Sequence, residues 1–183
     1  MTTDEQTASA PTKRQVLTIP TMEGKIAMVT GANDGIGKAT SLRLARLGAT
    51  VVMVCRDLER GRSAQALIKS TSGNDAVELM FADLSSQAAI RQLVADYTRT
   101  HARLHVLVNN AGVNVKQRTL TADGIELNFA VNYLAQFLLT LSMVDVGRFQ
   151  TAGQFIGEQH CGQLRLAMSK STSSRPLRKA ASR

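Results

Sequence analysis

Short apolar runs alternate with longer stretches of helical spacing along most of the chain. Residues 26–30 form an apolar run that ends at a glycine, which is typical of a buried parallel strand. Residues 35–47 then place apolar side chains three to four positions apart before another glycine, and this spacing predicts a helix. Residues 50–55 form a second β-branched run, and Asp57 predicts the N-cap of a helix over 58–70.

The same alternation continues after the second helix. It predicts strands at 77–82 and 106–109, a helix over 86–101 between them, and a long apolar helix at about 125–143. Beyond that helix the period fades, and residues 154–157 are a weak candidate for a fifth strand because their flanks are polar and contain glycine. Strands that alternate with helices predict an α/β fold with a doubly wound parallel sheet of the Rossmann type, truncated after about four strands.

The pattern divides the chain into three parts. Residues 1–24 are polar and contain two prolines, so a mobile leader is predicted. Residues 25–144 form the N-terminal part of the predicted Rossmann domain, and residues 145–183 form a basic tail that departs from the pattern and is expected to be poorly ordered. A sheet that ended at residues 106–109 would have an unpaired apolar edge.

The charge distribution limits the classes of partner. The net charge is +8, but residues 141–183 hold seven of the 22 Lys and Arg and only two of the 14 Asp and Glu. The excess of basic residues is concentrated in residues 171–183, which contain no aromatic side chain. We therefore predict no specific nucleic-acid partner, although a basic-tailed interaction protein stays open as an alternative. The longest apolar run is too short for a membrane span, and two cysteines without a signal sequence favour a cytoplasmic location.

The strongest local signal is residues 30–37, which read Thr-Gly-Ala-Asn-Asp-Gly-Ile-Gly where the first strand turns into the first helix. Glycines permit the tight turn and a close approach of the backbone to a phosphate, and the helix N-terminus supplies unpaired N–H groups. A turn that only packs a helix on a sheet is the alternative interpretation, and the strand before and the helix after the motif favour the phosphate site.

Four further segments follow in order, and with this turn the chain resembles the short-chain dehydrogenase/reductase family over residues 25 to about 140. The sequence of residues 123–140 is most similar to the branch that contains the retinol dehydrogenases. The four segments are Val54-Cys55-Arg56-Asp57, Asp83-Leu84-Ser85, Asn109-Asn110-Ala111-Gly112 and the helix residue Asn132.

The resemblance implies a cofactor role for several of these residues. A first group would cradle the pyrophosphate and the adjoining ribose, and comprises Gly31, Asn33, Asp34, Gly35, Ile36 and Gly37. A second group would contact the adenine or wall the site, and comprises Asp83, Leu84, Asn109, Ala111 and Gly112. For Asp83 the alternative interpretation is a helix-capping carboxylate. No metal site is predicted.

Arg56 decides which dinucleotide is predicted. An acidic residue at the end of the second strand would bind the ribose 2′-hydroxyl and favour NAD, whereas an arginine offers a permanent planar cation to a 2′-phosphate. Arg56 therefore predicts NADP, with NAD less favoured. Asp34 departs from this pattern because a carboxylate near the 2′-phosphate weakens the preference.

The catalytic set of the family is incomplete in this sequence. The resemblance assigns Asn132 to a proton-relay path, and the family also uses a serine and a Tyr-x-x-x-Lys pair. Tyr97 and Tyr133 are the two tyrosines of the chain, and neither has a lysine four residues later. The sequence therefore predicts the lineage of an oxidoreductase acting on a carbonyl or alcohol, with an inactive NADP-binding fragment as the alternative.

The abrupt end of the pattern has a candidate explanation in the reading frame. Reading the codons that can encode residues 157–163 one base later permits Val-Ser-Ser-Ile-Ala-Gly, which resembles the family's serine segment. A shifted frame between residues 141 and 157 would therefore explain the tail, and alternative termination or a splice-like variant stays open. Sequencing of the locus distinguishes these explanations.

Overall fold

The computed structural model describes residues 21–145 and the backbone of residues 149–157. Most of the predicted leader and residues 158–183 of the predicted tail lie outside the described part. Residues 21–24, at the end of that leader, form a turn in which the Met22 N–H donates to the Leu47 carbonyl at 2.7 Å.

Strands and helices alternate along the described chain. The strands are β1 (Ile26–Thr30), β2 (Thr50–Cys55), β3 (Val77–Phe81), β4 (Leu104–Asn109) and β5 (Phe149–Gly157). The helices are α1 (Gly35–Arg46), α2 (Leu58–Ser72), α3 (Gln87–Thr100) and a long α4 (Leu127–Asp145). Asp57 caps α2 as predicted, since its side chain accepts the Arg60 N–H at 3.0 Å.

The strands form one parallel sheet in the order β3-β2-β1-β4-β5. The chain therefore runs outward from β1 to β3 and then returns to the other side of β1. This reversal confirms the predicted doubly wound sheet. It also creates a crevice at the carboxyl ends of β1 and β4, the usual position of ligands in open α/β sheets.

A fifth strand lies beside β4 in the described structure. Its register places Val106 opposite Gln154 and Asn109 opposite Gly157, with a shift between Leu104 and Val106. Residues 154–157, the weak candidate from the sequence, are thus the half of β5 that pairs most regularly. The expectation of an unpaired edge on β4 is wrong, because these backbone bonds cover it.

Two apolar layers enclose the sheet, one on each face. One layer joins the sheet to α3 and α4 and includes Met28, Leu93, Tyr97, Leu107 and Leu139, each at most 1% exposed. The other joins the sheet to α1 and α2 and includes Val29, Ala45, Val51, Met53 and Ile68. Burial on both faces explains why β1 and β2 are continuous apolar runs instead of alternating ones.

The sequence spacing predicts a buried face of Leu127, Val131, Leu134 and Leu138 on helix α4, and the structure buries a different stripe. Its buried stripe is Val131, Ala135, Leu139 and Met143, whereas Leu134 and Leu138 are only partly buried. A second stripe at the same four-residue spacing is exposed and comprises Phe129, Tyr133, Phe137 and Leu141. By length and composition this is the one helix of the described chain that could cross a membrane, so the predicted absence of a membrane span stays a prediction.

His105 in β4 ties the start of β1 to its neighbour and makes stability sensitive to acid. Its Nδ1 accepts the Ile26 N–H at 2.9 Å, which requires that nitrogen to be unprotonated. Burial, and then the charges of Lys25 and Arg103, lower the pKa of this imidazole. The unfolded chain then binds more protons than the folded one, so stability is full above about pH 6.5 and falls as the pH drops through the folded-state pKa.

We expect His105→Gln to remove part of this acid sensitivity, because the Gln side-chain oxygen can accept the same N–H without titrating. Urea unfolding of both proteins at pH 7.5 and 5.5 measures the effect. An equal loss of stability in both proteins on acidification would contradict the assignment to His105.

Candidate functional site

The glycine-rich turn between β1 and α1 adopts a conformation that needs glycine at three positions. Gly31 and Gly35 have positive φ angles of 65° and 50°, which L side chains rarely adopt. Gly37 is needed for space, because an added Cβ would lie 2.3 Å from the Gly31 carbonyl oxygen and 2.4 Å from Asn110 Nδ2. The turn is therefore closed tightly on itself and on the end of β4.

Hydrogen bonds from the last residue of β1 hold this turn against β4. The Thr30 hydroxyl oxygen accepts the N–H groups of Asn110 and Ala111, each at 3.0 Å, and the hydroxyl donates to the Val108 carbonyl at 3.4 Å. The Asn110 amide donates in turn to the carbonyls of Thr30 and Gly31 at 3.0 and 3.3 Å. These contacts fix the crevice walls relative to one another before any ligand binds.

The N-terminus of α1 opens at this turn. Asp34 is its N-cap, and its Oδ1 accepts the Gly35 N–H at 2.8 Å. The first N–H groups of a helix have no carbonyl partner within it and carry partial positive charge, so the backbone of Ile36 and Gly37 offers donors to an anion. The Ile36 side chain beside them is 61% exposed.

Cys55, at the end of β2, lies beneath the turn. Its sulfur receives the N–H groups of Ala32 and Asn33, and burial raises the pKa of its thiol. The side chain is 2% exposed, so this thiol acts as a neutral packing group. The contact joins the end of β2, which leads to Arg56, to the turn that leads to Asp34.

Arg56 and Asp57 leave β2 on the exposed surface. An open cavity of about 410 Å³ lies between the turn and α2, and its lining includes two acidic and two basic side chains, Asp34, Glu59, Lys38 and Arg60. Arg60 Nη2 lies 2.7 Å from Asp34 Oδ2. The groove between the turn and α2 therefore contains a second arginine, which forms an ion pair with Asp34.

The exposed carboxylate of Asp83 follows β3 at the same edge of the sheet. Its Oδ1 accepts the Ser85 N–H at 2.9 Å, while Ser86 is the N-cap of α3. The capping interpretation of Asp83 is therefore wrong, because the side chain of Ser86 caps α3. Leu84 beside it packs against the core.

The asparagine that ends β4 braces the sheet from inside. Asn109 is 7% exposed, its Nδ2 donates to Thr140 Oγ1 at 3.0 Å, and its Oδ1 is buried without a partner in the described structure. Its side chain thus contacts α4. Of the predicted wall residues, Ala111 and Gly112 lie on the crevice side, where Ala111 contributes its N–H to Thr30.

Asn132 lies in a π-helical turn of α4, Ala130–Leu134, where the Ala135 N–H donates to the Ala130 carbonyl. Its Oδ1 accepts the Val113 N–H and its Nδ2 donates to the Val113 carbonyl, both at 2.8 Å. Asn128 binds the backbone of Val115 in the same manner. The oxygen and the nitrogen of the Asn132 side-chain amide therefore both position the segment after β4, and the role of Asn132 in proton relay stays a prediction.

Several contributors to the site were not predicted from the sequence. Arg60, the second asparagine clamp at Asn128 and the Asp123 carboxylate, which accepts the Gln87 N–H at the start of α3 at 2.8 Å, all depend on contacts between distant segments. Only Asn128 had a detectable signal, because it precedes Asn132 by one helical turn. Among residues 21–145, no three His, Cys, Asp or Glu side chains form a group that could hold a metal ion.

Comparison with known proteins identifies the family to which this fold belongs. Residues 25–156 match the short chain dehydrogenase family, so the resemblance extends past residue 140, where the sequence pattern suggested its end. The chain is similar to human dehydrogenase/reductase SDR family member 12, with 45% identity over 67% of this chain and 38% of that protein. It is also similar to human retinol dehydrogenase 11, with 44% identity over 65% of this chain and 37% of that protein.

Among solved structures, a metagenomic short-chain oxidoreductase in complex with NADP is similar at a TM-score of 0.62 and 34% identity, over 74% of this chain and 62% of that one. The chain spans less than two fifths of the length of the curated relatives it matches. The family match, the sheet order and the closed glycine turn agree: this chain belongs to the short-chain dehydrogenase/reductase family, in its retinol dehydrogenase-like branch.

Proposed function

We propose that the described residues form the NADP(H)-binding half of an oxidoreductase that interconverts a carbonyl and an alcohol. The dinucleotide would supply or accept the hydride. This chain would contribute the site that binds and orients it. The assignment of the carbonyl or alcohol substrate comes from the family, because the described residues include no formed substrate pocket.

One observation carries the proposal: the turn at residues 31–37 is shaped so that a dinucleotide phosphate can reach its backbone. A side chain at Gly37 would collide with the Gly31 carbonyl. Only glycine at this position therefore allows the helix to pack closely against the turn. Ile36 and Gly37 would donate their N–H groups to the pyrophosphate. The Asp83 carboxylate would accept from the adenine amino group, and Ala111 and Gly112 would border the ring on the other side.

Two features support NADP over NAD. Arg56 is exposed directly after β2, at the position where an acidic residue would otherwise bind the ribose 2′-hydroxyl. In addition, a similar solved structure is named as a complex with NADP. A planar guanidinium forms paired hydrogen bonds with phosphate, and therefore Arg56 is the proposed 2′-phosphate ligand.

We further propose that these 183 residues bind the dinucleotide without turning it over. Tyr97 is fully buried and donates its hydroxyl to the Arg103 carbonyl at 2.6 Å. Tyr133 is exposed and stacks on Phe129. His101 and Phe137 stand where the Tyr-x-x-x-Lys pattern needs lysine, so neither tyrosine belongs to the Tyr-x-x-x-Lys pair that the family uses for proton transfer.

A fluorescence titration tests both parts of the proposal. We expect NADPH fluorescence to increase on addition of the chain, and absorbance at the nicotinamide band to stay constant when a panel of aldehydes and ketones is added. A full-length relative of the same branch serves as the active control for the panel. Absence of any NADPH binding would contradict the binding proposal, and NADPH consumption above the protein-free rate would contradict the lack of turnover.

A further inference from the structure

A salt bridge joins the two helix N-termini that border the predicted ribose position. Arg60 lies in the first turn of α2 and Asp34 immediately precedes α1, and the residues are 26 apart in the chain. Arg60 Nη2 and Asp34 Oδ2 are 2.7 Å apart. The bridge thus crosses the groove between the glycine turn and α2.

Each partner is also held by its own helix. The other carboxylate oxygen of Asp34 accepts the Gly35 N–H, and the backbone N–H of Arg60 donates to Asp57. The two side chains are 66% and 60% exposed, and an exposed ion pair of this kind adds little to stability. We therefore expect the ion pair to act mainly on the electrostatic potential of the groove beside it.

The bridge lies close to the proposed 2′-phosphate ligand. The Cys55 sulfur receives the N–H groups of Ala32 and Asn33. Arg56 directly follows Cys55, and Asp34 directly follows Asn33, so both charged residues extend from one point of contact. Without a counter-charge, the Asp34 carboxylate would repel a phosphate bound at Arg56.

We propose that Arg60 sets the preference for a 2′-phosphorylated dinucleotide by neutralising Asp34. This inference rests on the proposed function, because it concerns the selectivity of that same site. The Asp34 carboxylate still accepts the Gly35 N–H and caps α1. The Arg60 guanidinium neutralises the negative charge of this carboxylate in the groove. Arg56 then faces the 2′-phosphate without an unpaired charge on Asp34.

A double-mutant cycle with Asp34→Asn and Arg60→Gln tests the proposal. Dissociation constants for NADPH and NADH are measured by nicotinamide fluorescence on the whole chain at low ionic strength, where screening is weak. We expect Arg60→Gln to weaken NADPH about tenfold and NADH less than about twofold, since the phosphate carries the added charge. Asp34→Asn should strengthen NADPH binding, and the double variant should return close to wild type because its net charge is the same.

Arg43→Gln is the matched control. It removes the same charge from α1, the helix that Asp34 caps, but Arg43 lies in the last turn of that helix and does not line the groove. We expect its ratio of NADPH to NADH affinity to equal that of the wild type.

The outcomes separate this inference from the proposed function. A ratio in Arg60→Gln within about twofold of wild type, or a double variant that stays as weak as Arg60→Gln, would overturn the role of the bridge while leaving dinucleotide binding intact. If the wild type binds neither NADPH nor NADH, the proposed function fails, and this inference fails with it.

Discussion

Replacing Gly37 with alanine is expected to weaken NADPH binding by about 100-fold, the scale of a displacement of about 1 Å in a preorganised site. The added methyl group would lie 2.3 Å from the Gly31 carbonyl oxygen and 2.4 Å from Asn110 Nδ2. Neither atom can yield easily, because one belongs to the backbone and the other donates to Thr30. The turn must therefore open at the point where the pyrophosphate would sit. Fluorescence titration measures the change.

A control has to separate this effect from a general loss of stability. Gly73, the C-cap of α2, has a φ of 71° and open space around its Cβ position, so Gly73→Ala costs about 1–2 kcal/mol through backbone strain alone. We expect its NADPH affinity to equal that of the wild type. Equal loss of affinity in both variants would show that Gly37 acts only through stability.

Thr30→Val is expected to lower the free energy of unfolding by about 3 kcal/mol, from the usual cost of leaving buried donors unpaired. Valine matches the shape of threonine but has no oxygen for the N–H groups of Asn110 and Ala111. Thr30 is 1% exposed, so water cannot readily replace the hydroxyl. Such a loss is a large part of the stability of a single domain, about 5–15 kcal/mol. Urea unfolding measures it.

Thr30→Ser keeps the hydroxyl and removes one methyl group, so a loss of about 1 kcal/mol is expected for that variant. The serine variant should also retain NADPH binding, whereas valine should weaken it because the walls of the crevice lose their common anchor. Equal stabilities for the serine and valine variants would exclude the hydroxyl as the element that joins β1 to β4.

The sheet is largely predictable from the sequence, and the reasons are local. β1 and β2 have their predicted bounds because each is a continuous apolar run followed by a polar or glycine-bearing turn. β4 begins at Leu104, two residues earlier than predicted, because His105 interrupts the apolar run. The alternation of strands and helices then determines the doubly wound arrangement.

For helix α4 and strand β5, the local hydrophobic pattern does not predict the packing or the pairing that the structure shows. α4 is apolar on nearly every side, so its sequence has no contrast that would identify Val131, Ala135 and Leu139 as the buried stripe. The sequence also did not predict the π turn at Ala130–Leu134. β5 contains Gly153 and Gln154, and it is specified by pairing with β4 more than by its own propensity.

The candidate site also has features that the sequence predicts and features that only the structure shows. The glycine turn and Arg56 follow from residue type and position, since a strand-turn-helix context gives both a defined geometry. The bridge between Asp34 and Arg60 does not, because no periodicity relates residues 26 apart on separate helices. Sequence reasoning identified Asp34 as unfavourable for a 2′-phosphate, and only the fold revealed the arginine that compensates for it.

Mapping of NADPH binding by ¹⁵N backbone amide shifts tests the central claim most directly. We predict that saturating NADPH shifts the amides of residues 31–37, Arg56 and Asp57, Asp83 and Leu84, and residues 110–112, with little change elsewhere. NADH at the same concentration should produce smaller changes at Arg56 and Asp57. Shifts confined to residues 171–183 that disappear with added salt would contradict the account, because they would identify the ligand as a polyanion on the basic tail.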